Sequence, residues 1–366
     1  MIKDYKGMKE SGFLKKILFY SMTMYSGGAE RVVSNLSNYF IKENDVAIAT
    51  LINSRIDYDL NNRIDILFSS KNCNTNMFFR IKNSINLLKN TKKYNPDVII
   101  AFCPTMCFLA CFFKIFFKSF KDIKLIISER NDPYSEYKNF LFKYIANLLY
   151  SKSDIIVFQT NGAKSFFNEK VQKKGVIITN PINEKFLNIL KSDKKENCIV
   201  NVGRLEPQKN QKLLINACTN VFKKYPNWKL KIYGEGNLKK ELETLIIDLK
   251  MEKNIFLMGR CNELNKELPK NKIFVLSSNF EGMPNALMEA MACGLACIST
   301  DCPCGGPNDL IVNYKNGILI PVNDIKSMEK EIINLIENKE LFNRLCNVHN
   351  NFNTISNIYK KWEELI

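Results

Sequence analysis

Ile273-Phe-Val-Leu-Ser-Ser-Asn-Phe-Glu-Gly-Met-Pro-Asn-Ala-Leu-Met-Glu-Ala-Met-Ala-Cys-Gly-Leu-Ala-Cys-Ile-Ser299 holds a whole strand, loop, helix and strand. Ile273–Leu276 is a short apolar run with β-branched residues, the composition of a buried strand. Gly282 and Pro284 shape the loop that follows, Asn285 starts a helix, and Gly294 stands where a left-handed C-terminal cap belongs. Ala296–Ser299 is the next strand. A helix that joins two strands in this way is a crossover, and crossovers build parallel sheets.

The alternation continues on both sides. In the second half, strands are expected at Cys198–Gly203, Lys229–Tyr233, Ile255–Met258 and Ile318–Ile320. In the first half they are expected at Lys16–Ser21, Val46–Ile52, Ile64–Phe68, Val98–Phe102, Leu125–Ser128, Ile155–Phe158 and Val176–Thr179, with helices in most of the gaps. Asn180-Pro-Ile-Asn183 breaks the pattern, and a lysine-rich stretch poor in apolar residues runs from Lys185 to Asn197. The domain junction is placed there, giving domains 1–183 and 184–352. The closing segment 353–366, with Ile355, Ile358, Tyr359, Trp362 and Ile366 at near-helical spacing, is expected to pack back on the first domain. A length of 366 residues exceeds what one core usually serves. The expected fold is therefore α/β, with two doubly wound domains whose ligands sit outside the carboxyl ends of the strands.

Composition narrows the class. Hydrophobic residues at 46% and charged residues at 25% fit a globular enzyme and exclude a disordered or fibrous chain. A net charge of +16 suits nucleic acid, an anionic membrane face or phosphorylated substrates, and equally a compositional bias without function. The 12 cysteines lack the paired spacing of zinc sites, and the single histidine, His349, lies in a polar stretch, so no metal is expected. Cys103, Cys107 and Cys111 recur every four residues, which reads as one packing stripe of a helix. Unpaired thiols point to a reducing compartment, and the charged stretch Lys3–Glu10 lacks the apolar core of a secretory signal, so a cytoplasmic location is expected. The charge-free run Val98–Phe113 contains Pro104 and falls short of the roughly 20 residues that span a bilayer. Its helical part, Thr105–Phe120, mixes Phe108, Phe112 and Phe116 with Lys114 and Lys118; such a helix packs on a sheet or lies on a membrane surface.

The residues directly after the strands carry the chemistry. Gly27 and Gly28 follow the first strand and precede a helix, which makes either a tight turn or a place where backbone N–H groups meet a phosphate or sugar hydroxyl. Gly203-Arg-Leu-Glu-Pro-Gln-Lys209 puts two cations between a strand and a helix. Arginine grips phosphate oxygens as a bidentate fork and lysine acts as a point charge, so the pair suits a diphosphate, although a solvated basic loop has the same composition. Glu281 precedes the helix that starts at Asn285, and Glu289 lies within it among Leu287, Met288, Ala290 and Met291. Two carboxylates near one helix start can accept hydrogen bonds from vicinal hydroxyls, while the N–H groups of Met283–Ala286 face an anion.

Together, Glu281-x(7)-Glu289, Gly-Arg-Leu-x(3)-Lys at Gly203–Lys209 and Gly-Gly-Ala-Glu-Arg-Val at Gly27–Val32 resemble the retaining glycosyltransferases of family 4. So does Thr300-Asp-Cys-Pro-Cys-Gly-Gly-Pro followed by Asn316-Gly-Ile-Leu-Ile-Pro. The resemblance covers nearly the whole chain and implies the GT-B fold, two Rossmann-like domains facing a cleft, with no metal or other cofactor. It implies that Gly203, Arg204 and Lys209 bind the donor diphosphate, Glu289 the ribose and Glu281 the transferred sugar. Gly282, Met283, Pro284, Asn285 and Ala286 would contact sugar and phosphate through their backbone. Gly259, Arg260 and Cys261 would lie near the base, with Gly234 and Gly236 shaping that pocket. Gly27 and Gly28 would line the acceptor side.

The chain departs from the family where a histidine often follows the strand that ends at Ser128; here the sequence is Ser-Glu-Arg-Asn-Asp. Arg130 takes that place, and arginine serves to bind rather than to accept a proton. Relatives that build surface polysaccharides and lipid-linked oligosaccharides share Ser-Glu-Arg-Asn, which implies an acceptor of that sort, with Glu129 the carboxylate expected to face it. The expected partners are a nucleotide sugar, taken as UDP-linked, a glycan or polyprenyl-phosphate-linked acceptor, and an anionic membrane surface at the inner face of the cell membrane. Two other readings are weighed: a nucleotide-sugar epimerase, for which suitable histidines are missing, and a basic nucleic-acid-binding protein, for which no reading motif is present.

Overall fold

The computed structural model describes residues 14–25, 27–53, 55–70, 77–187, 189, 195–347 and 354–366. His349 and part of the junction stretch, at 188 and 190–194, lie outside the described residues. The chain forms two compact units, Met1–Ile178 with Ile358–Ile366, and Thr179–Asn357. The break falls a few residues before the expected 183/184 boundary, and Ile182 belongs to a core of the second unit.

In chain order the first unit runs β1 (Lys16–Ser21), α1 (Gly28–Phe40), β2 (Asp45–Thr50), β3 (Asp65–Phe68), α2 (Met77–Tyr94), β4 (Val98–Phe102) and α3 (Pro104–Phe116). It continues with β5 (Lys124–Ser128), α4 (Pro133–Glu136), α5 (Phe140–Tyr150), β6 (Ile155–Phe158), α6 (Asn161–Ser165), α7 (Glu169–Gln172) and β7 (Gly175–Ile177). The second unit runs β8 (Glu196–Val202), α8 (Gln211–Lys224), β9 (Lys229–Tyr233), α9 (Lys239–Asp248), β10 (Ile255–Gly259), α10 (Leu264–Glu267) and β11 (Asn271–Leu276). It ends with α11 (Asn285–Ala292), β12 (Ala296–Thr300), α12 (Gly306–Leu310), β13 (Ile318–Ile320), α13 (Ile325–Glu337) and α14 (Lys339–Cys346); α15 (Ile355–Glu363) closes the chain.

Each unit is a parallel sheet with the order of a doubly wound fold: β3-β2-β1-β4-β5-β6-β7 in the first and β10-β9-β8-β11-β12-β13 in the second. β1 and β4 are buried almost throughout because helices cover both faces of the sheet, which explains their continuous apolar runs. Right-handed crossovers send α1 to one face and α2, α3 and α5 to the other. Side-chain alternation agrees: Phe19 packs against Phe40 of α1, whereas its neighbour Tyr20 bonds Thr91 of α2 at 2.5 Å. Ile358 and Trp362 of α15 enter the core beside Phe19 and Phe102, and Tyr359 stacks on Tyr39 of α1 at 4.2 Å between ring centroids.

The helix expected at Thr105–Phe120 ends at Phe116, where Phe117 turns extended and a single 3-10 turn, Lys118–Phe120, follows. Cys107 and Cys111 are buried on α3, but Cys103 precedes the helix as its N-cap with a positive φ of 62°, so the three thiols do not form one helical stripe. Among the described residues no helix is long and apolar enough to cross a membrane, and no group of three metal-ligating side chains occurs.

Candidate active site

Strand order reverses between β8 and β11 in the second sheet, so their outgoing loops leave the same edge side by side, at the point where open α/β sheets hold ligands. The first of these loops carries Gly203–Asn210 and the second Ser277–Pro284. They are laced together: the Asn279 N–H donates to Gln208 O at 2.8 Å, Gln208 Nε2 to Phe280 O at 3.0 Å, and Ser277 Oγ to Lys209 O at 2.8 Å. At the centre, Lys209 Nζ meets Glu281 Oε1 at 2.5 Å, and Ser278 Oγ donates to the same oxygen at 2.6 Å. Both side chains are largely buried, with 18% and 8% of their surface exposed. The two residues assigned from sequence to diphosphate and sugar thus form one ion pair. Ser278, three positions before Glu281, is a partner that the sequence reading passed over.

Arg204 lies on the same loop with an exposed side chain, pairing Glu206 at 3.1 Å and Gln208 at 3.4 Å. It stands free to swing toward an anion at little cost, because exposed pairs of this kind are weak. Glu289 is buried on α11 beyond its first turn. The helix begins at Asn285 with Pro284 as N-cap and no side-chain cap, which leaves its first N–H groups available to an anion. Asn180 holds this start from the side, its Nδ2 donating to Asn285 Oδ1 at 2.8 Å and to Met283 O at 3.3 Å. Met283 and Pro284 are buried, Asn285 and Ala286 half-buried.

Neighbouring strands add to the same edge. The Gly203 N–H donates to Tyr233 O, and the Gly234 N–H to Gly259 O at 2.9 Å, so the loops bearing Gly203, Gly234 and Gly259 form one terrace. Gly234 must be glycine: a Cβ there would lie 1.9 Å from Gly203 O. Arg260 is exposed and Cys261 half-buried just beyond this terrace. On the other side, a Cβ on Gly306 would fall 1.7 Å from Gly282 O, so α12 starts directly against the Glu281 loop. Thr300 Oγ1 anchors that loop by donating to Ser278 O at 2.6 Å.

In the first unit the order reverses between β1 and β4. Gly27 is the N-cap of α1 and Gly28 its first residue. Tyr58 clamps the turn, its hydroxyl accepting from the Gly27 N–H at 2.8 Å and lying 2.6 Å from Gly27 O. A Cβ on Gly27 would strike the Glu30 carboxylate at 2.2 Å. Nothing in the sequence signalled Tyr58, which lies far along the chain. After β5, Glu129 is 1% exposed rather than open to a ligand, and its Oε2 accepts from Tyr137 at 2.9 Å and Tyr150 at 3.1 Å. Burial pushes its carboxyl up to about 7, against the two tyrosine hydrogen bonds. Arg130 is half-buried over the Phe102 ring at 5.8 Å, and burial lowers its guanidinium to about 9, which leaves it protonated at neutral pH. Asp132 caps α4, accepting from the Tyr134 N–H and Ser135 Oγ.

These features bring a cation, a carboxylate and an uncapped helix start together at one sheet edge, which is equipment for a phosphorylated sugar. Residues 182–348 match the family described as Glycosyl transferases group 1. An uncharacterized glycosyltransferase of Haemophilus influenzae is 30% identical over 90% of this chain and 92% of its own length. A Campylobacter jejuni protein, named GalNAc-α-(1→4)-GalNAc-α-(1→3)-diNAcBac-PP-undecaprenol α-1,4-N-acetyl-D-galactosaminyltransferase, is 29% identical over 96% of this chain and 98% of its own. In fold, the chain is similar to Anabaena HepE solved with UDP and glucose, at a TM-score of 0.80 and 15% identity, covering 96% and 98% of the two chains. The epimerase and nucleic-acid readings are not favoured by these likenesses. The chain belongs to the glycosyl transferases group 1 and is a glycosyltransferase of GT-B fold.

Proposed function

We propose that the protein is a retaining transferase that moves a hexose or N-acetylhexosamine from a UDP-sugar to a polyprenyl-diphosphate-linked glycan in cell-surface polysaccharide synthesis. The observation that carries this reading is the Lys209–Glu281 pair beside the uncapped start of α11 at the switch point of the second sheet. The name of the Campylobacter relative supports the acceptor class, and the UDP and glucose of the Anabaena structure support the donor.

In this reading the bond from the anomeric carbon to the β-phosphate oxygen breaks while the acceptor hydroxyl enters on the same face, and the hydroxyl proton passes to the departing phosphate. Arg204, Lys209 and the first N–H groups of α11 stabilise the charge that grows on the diphosphate, so no metal is required. Glu281 holds the sugar hydroxyls, Glu289 the ribose, and Gly259–Cys261 border the base. Gly27, Gly28 and Arg130 bind the acceptor, Arg130 through its positive charge at neutral pH on a phosphate; Glu129, buried beneath, positions that loop through its tyrosines.

The test offers the purified protein a panel of nucleotide sugars with a polyprenyl-diphosphate disaccharide, and reads the new linkage by NMR. An axial donor that yields an α-linked product is the expected result. An inverted linkage overturns the retaining mechanism, and isomerised donor without transfer overturns the reaction class.

A further inference from the structure

The helical face of the first unit built from α2, α3 and α5 is unusual in what it exposes. α2 and α3 border a groove of about 450 Å³ lined by Ile81, Ile85, Leu88, Leu109, Phe112 and Phe117, and α3 packs along α5, with Phe108 against Tyr150 at 5.6 Å between centroids. The outer surface of the three helices is apolar and open: Phe78 is 74% exposed, Phe116 65% and Phe140 82%, and Leu141 and Phe142 stand beside Phe140. Aromatic side chains of this size are seldom left in water on so large a surface without a partner.

Charge identifies the partner. The segments 77–94, 104–121 and 137–152 contain no Asp or Glu, while Lys82, Lys89, Lys93, Lys118, Lys121 and Lys138 are exposed along them. The opposite face of the same sheet is covered by α1 and α15, where Glu30 and Glu363 are mixed with Arg31, Lys360 and Lys361. A surface with protruding aromatics and a rim whose lysines outnumber the flanking acids Asp122, Glu136 and Asp154, the last paired with Lys114, is complementary to anionic headgroups above an acyl layer. The cations would lie at headgroup level, with the phenylalanines reaching the acyl boundary.

We infer that the α2–α3–α5 face docks on an anionic lipid bilayer, with Phe78, Phe116 and Phe140 as the inserting side chains. This extends the proposed reaction, since an acceptor carried by a polyprenyl chain is held in a bilayer, and it adds α2 and α5 to the single helix that the sequence suggested.

The test is co-sedimentation of the full chain with vesicles of phosphatidylcholine and phosphatidylglycerol, or of phosphatidylcholine alone, with neither donor nor acceptor present. Wild type should bind the anionic vesicles and bind the neutral ones far less. Phe116→Ser with Phe140→Ser should weaken binding at least about tenfold, from the apolar area lost. Lys118→Glu with Lys121→Glu should weaken it by about fivefold for each cation removed. All four positions are exposed, and an unchanged melting transition of the first unit certifies the fold of each variant. Wild type that stays in the supernatant, or variants that bind like wild type, overturn the inference. So does self-association that these substitutions abolish without any vesicle binding, which would make the face a protein interface. UDP response is read without lipid and vesicle binding without sugar, so failure of the membrane inference and failure of the donor reading are separable.

Discussion

Lys209 and Glu281 do not depend on each other equally. The lysine is the longer and more exposed of the two, 18% against 8%, so it can turn toward water when its partner is removed. Glu281 has no such escape, and Lys209→Met leaves a nearly buried carboxylate with Ser278 as its remaining donor. Lys209→Met should therefore lower thermal stability more than Glu281→Gln does, while each lowers kcat by on the order of 10² or more if the pair meets the reacting sugar phosphate. Differential scanning fluorimetry and initial rates measure the two effects separately, and equal stability losses would contradict the asymmetry. Glu129 offers a second test. Its carboxyl titrates near about 7 in the folded chain, against an ordinary value of 4.5, because burial disfavours the charged form. The folded state thus binds this proton more tightly than the unfolded state, and stability falls as pH rises from about 4.5 to about 7, then levels off. The loss is on the order of 3 kcal/mol for a shift of this size. Glu129→Gln keeps an oxygen for Tyr137 and Tyr150 and has no proton to lose, so its urea midpoint should lack that decline between pH 5 and 7. A variant whose pH profile matches wild type would place the titration elsewhere.

At the scale of elements, α15 is the segment whose position in sequence says least about where it works. Trp362 is 1% exposed and packs near Phe102, far back in the chain on β4. Trp362→Ala should destabilise the first unit by about 3–5 kcal/mol, as large buried aromatics do on truncation, and chemical denaturation followed by near-UV dichroism would read the loss. A change below about 1 kcal/mol would mean that the helix is only loosely held. The strands were readable from sequence because both faces of each sheet are covered, which writes them as short β-branched runs. The loops after β8 and β11 were readable because glycine and proline mark them and the switch point follows from strand order. What escaped was lateral: Tyr58 on Gly27, the tyrosines on Glu129, and Gly306 against Gly282 all join residues whose separation carries no periodic signal. The early end of α3 escaped too, since a run of phenylalanines fits a helix and a 3-10 turn equally well; Lys118 and Phe120 reveal the change only through backbone geometry.

Across the whole molecule, each unit has its own core. One core cluster gathers Ile17, Phe19, Ile100 and Trp362 from the first unit, and another gathers Leu214, Leu230, Ile273 and Ile332 from the second, without shared members. Two cores that share no residues can lose order at different temperatures, and a chain of this length with two units need not unfold in one step. The proposed UDP site rests on β8, β9, β10 and β11, all within the second unit. A ligand stabilises only the folded unit that binds it, and UDP at 100 times its Kd would add about 2.7 kcal/mol there. Calorimetry should therefore resolve two transitions, of which UDP raises one and leaves the other in place. Trp362→Ala should lower the transition that UDP leaves unmoved, which assigns each peak to its unit. If UDP raises both transitions together, stability is shared across the chain; if it raises the one that Trp362→Ala lowers, the donor site lies in the first unit and its assignment to the second is wrong.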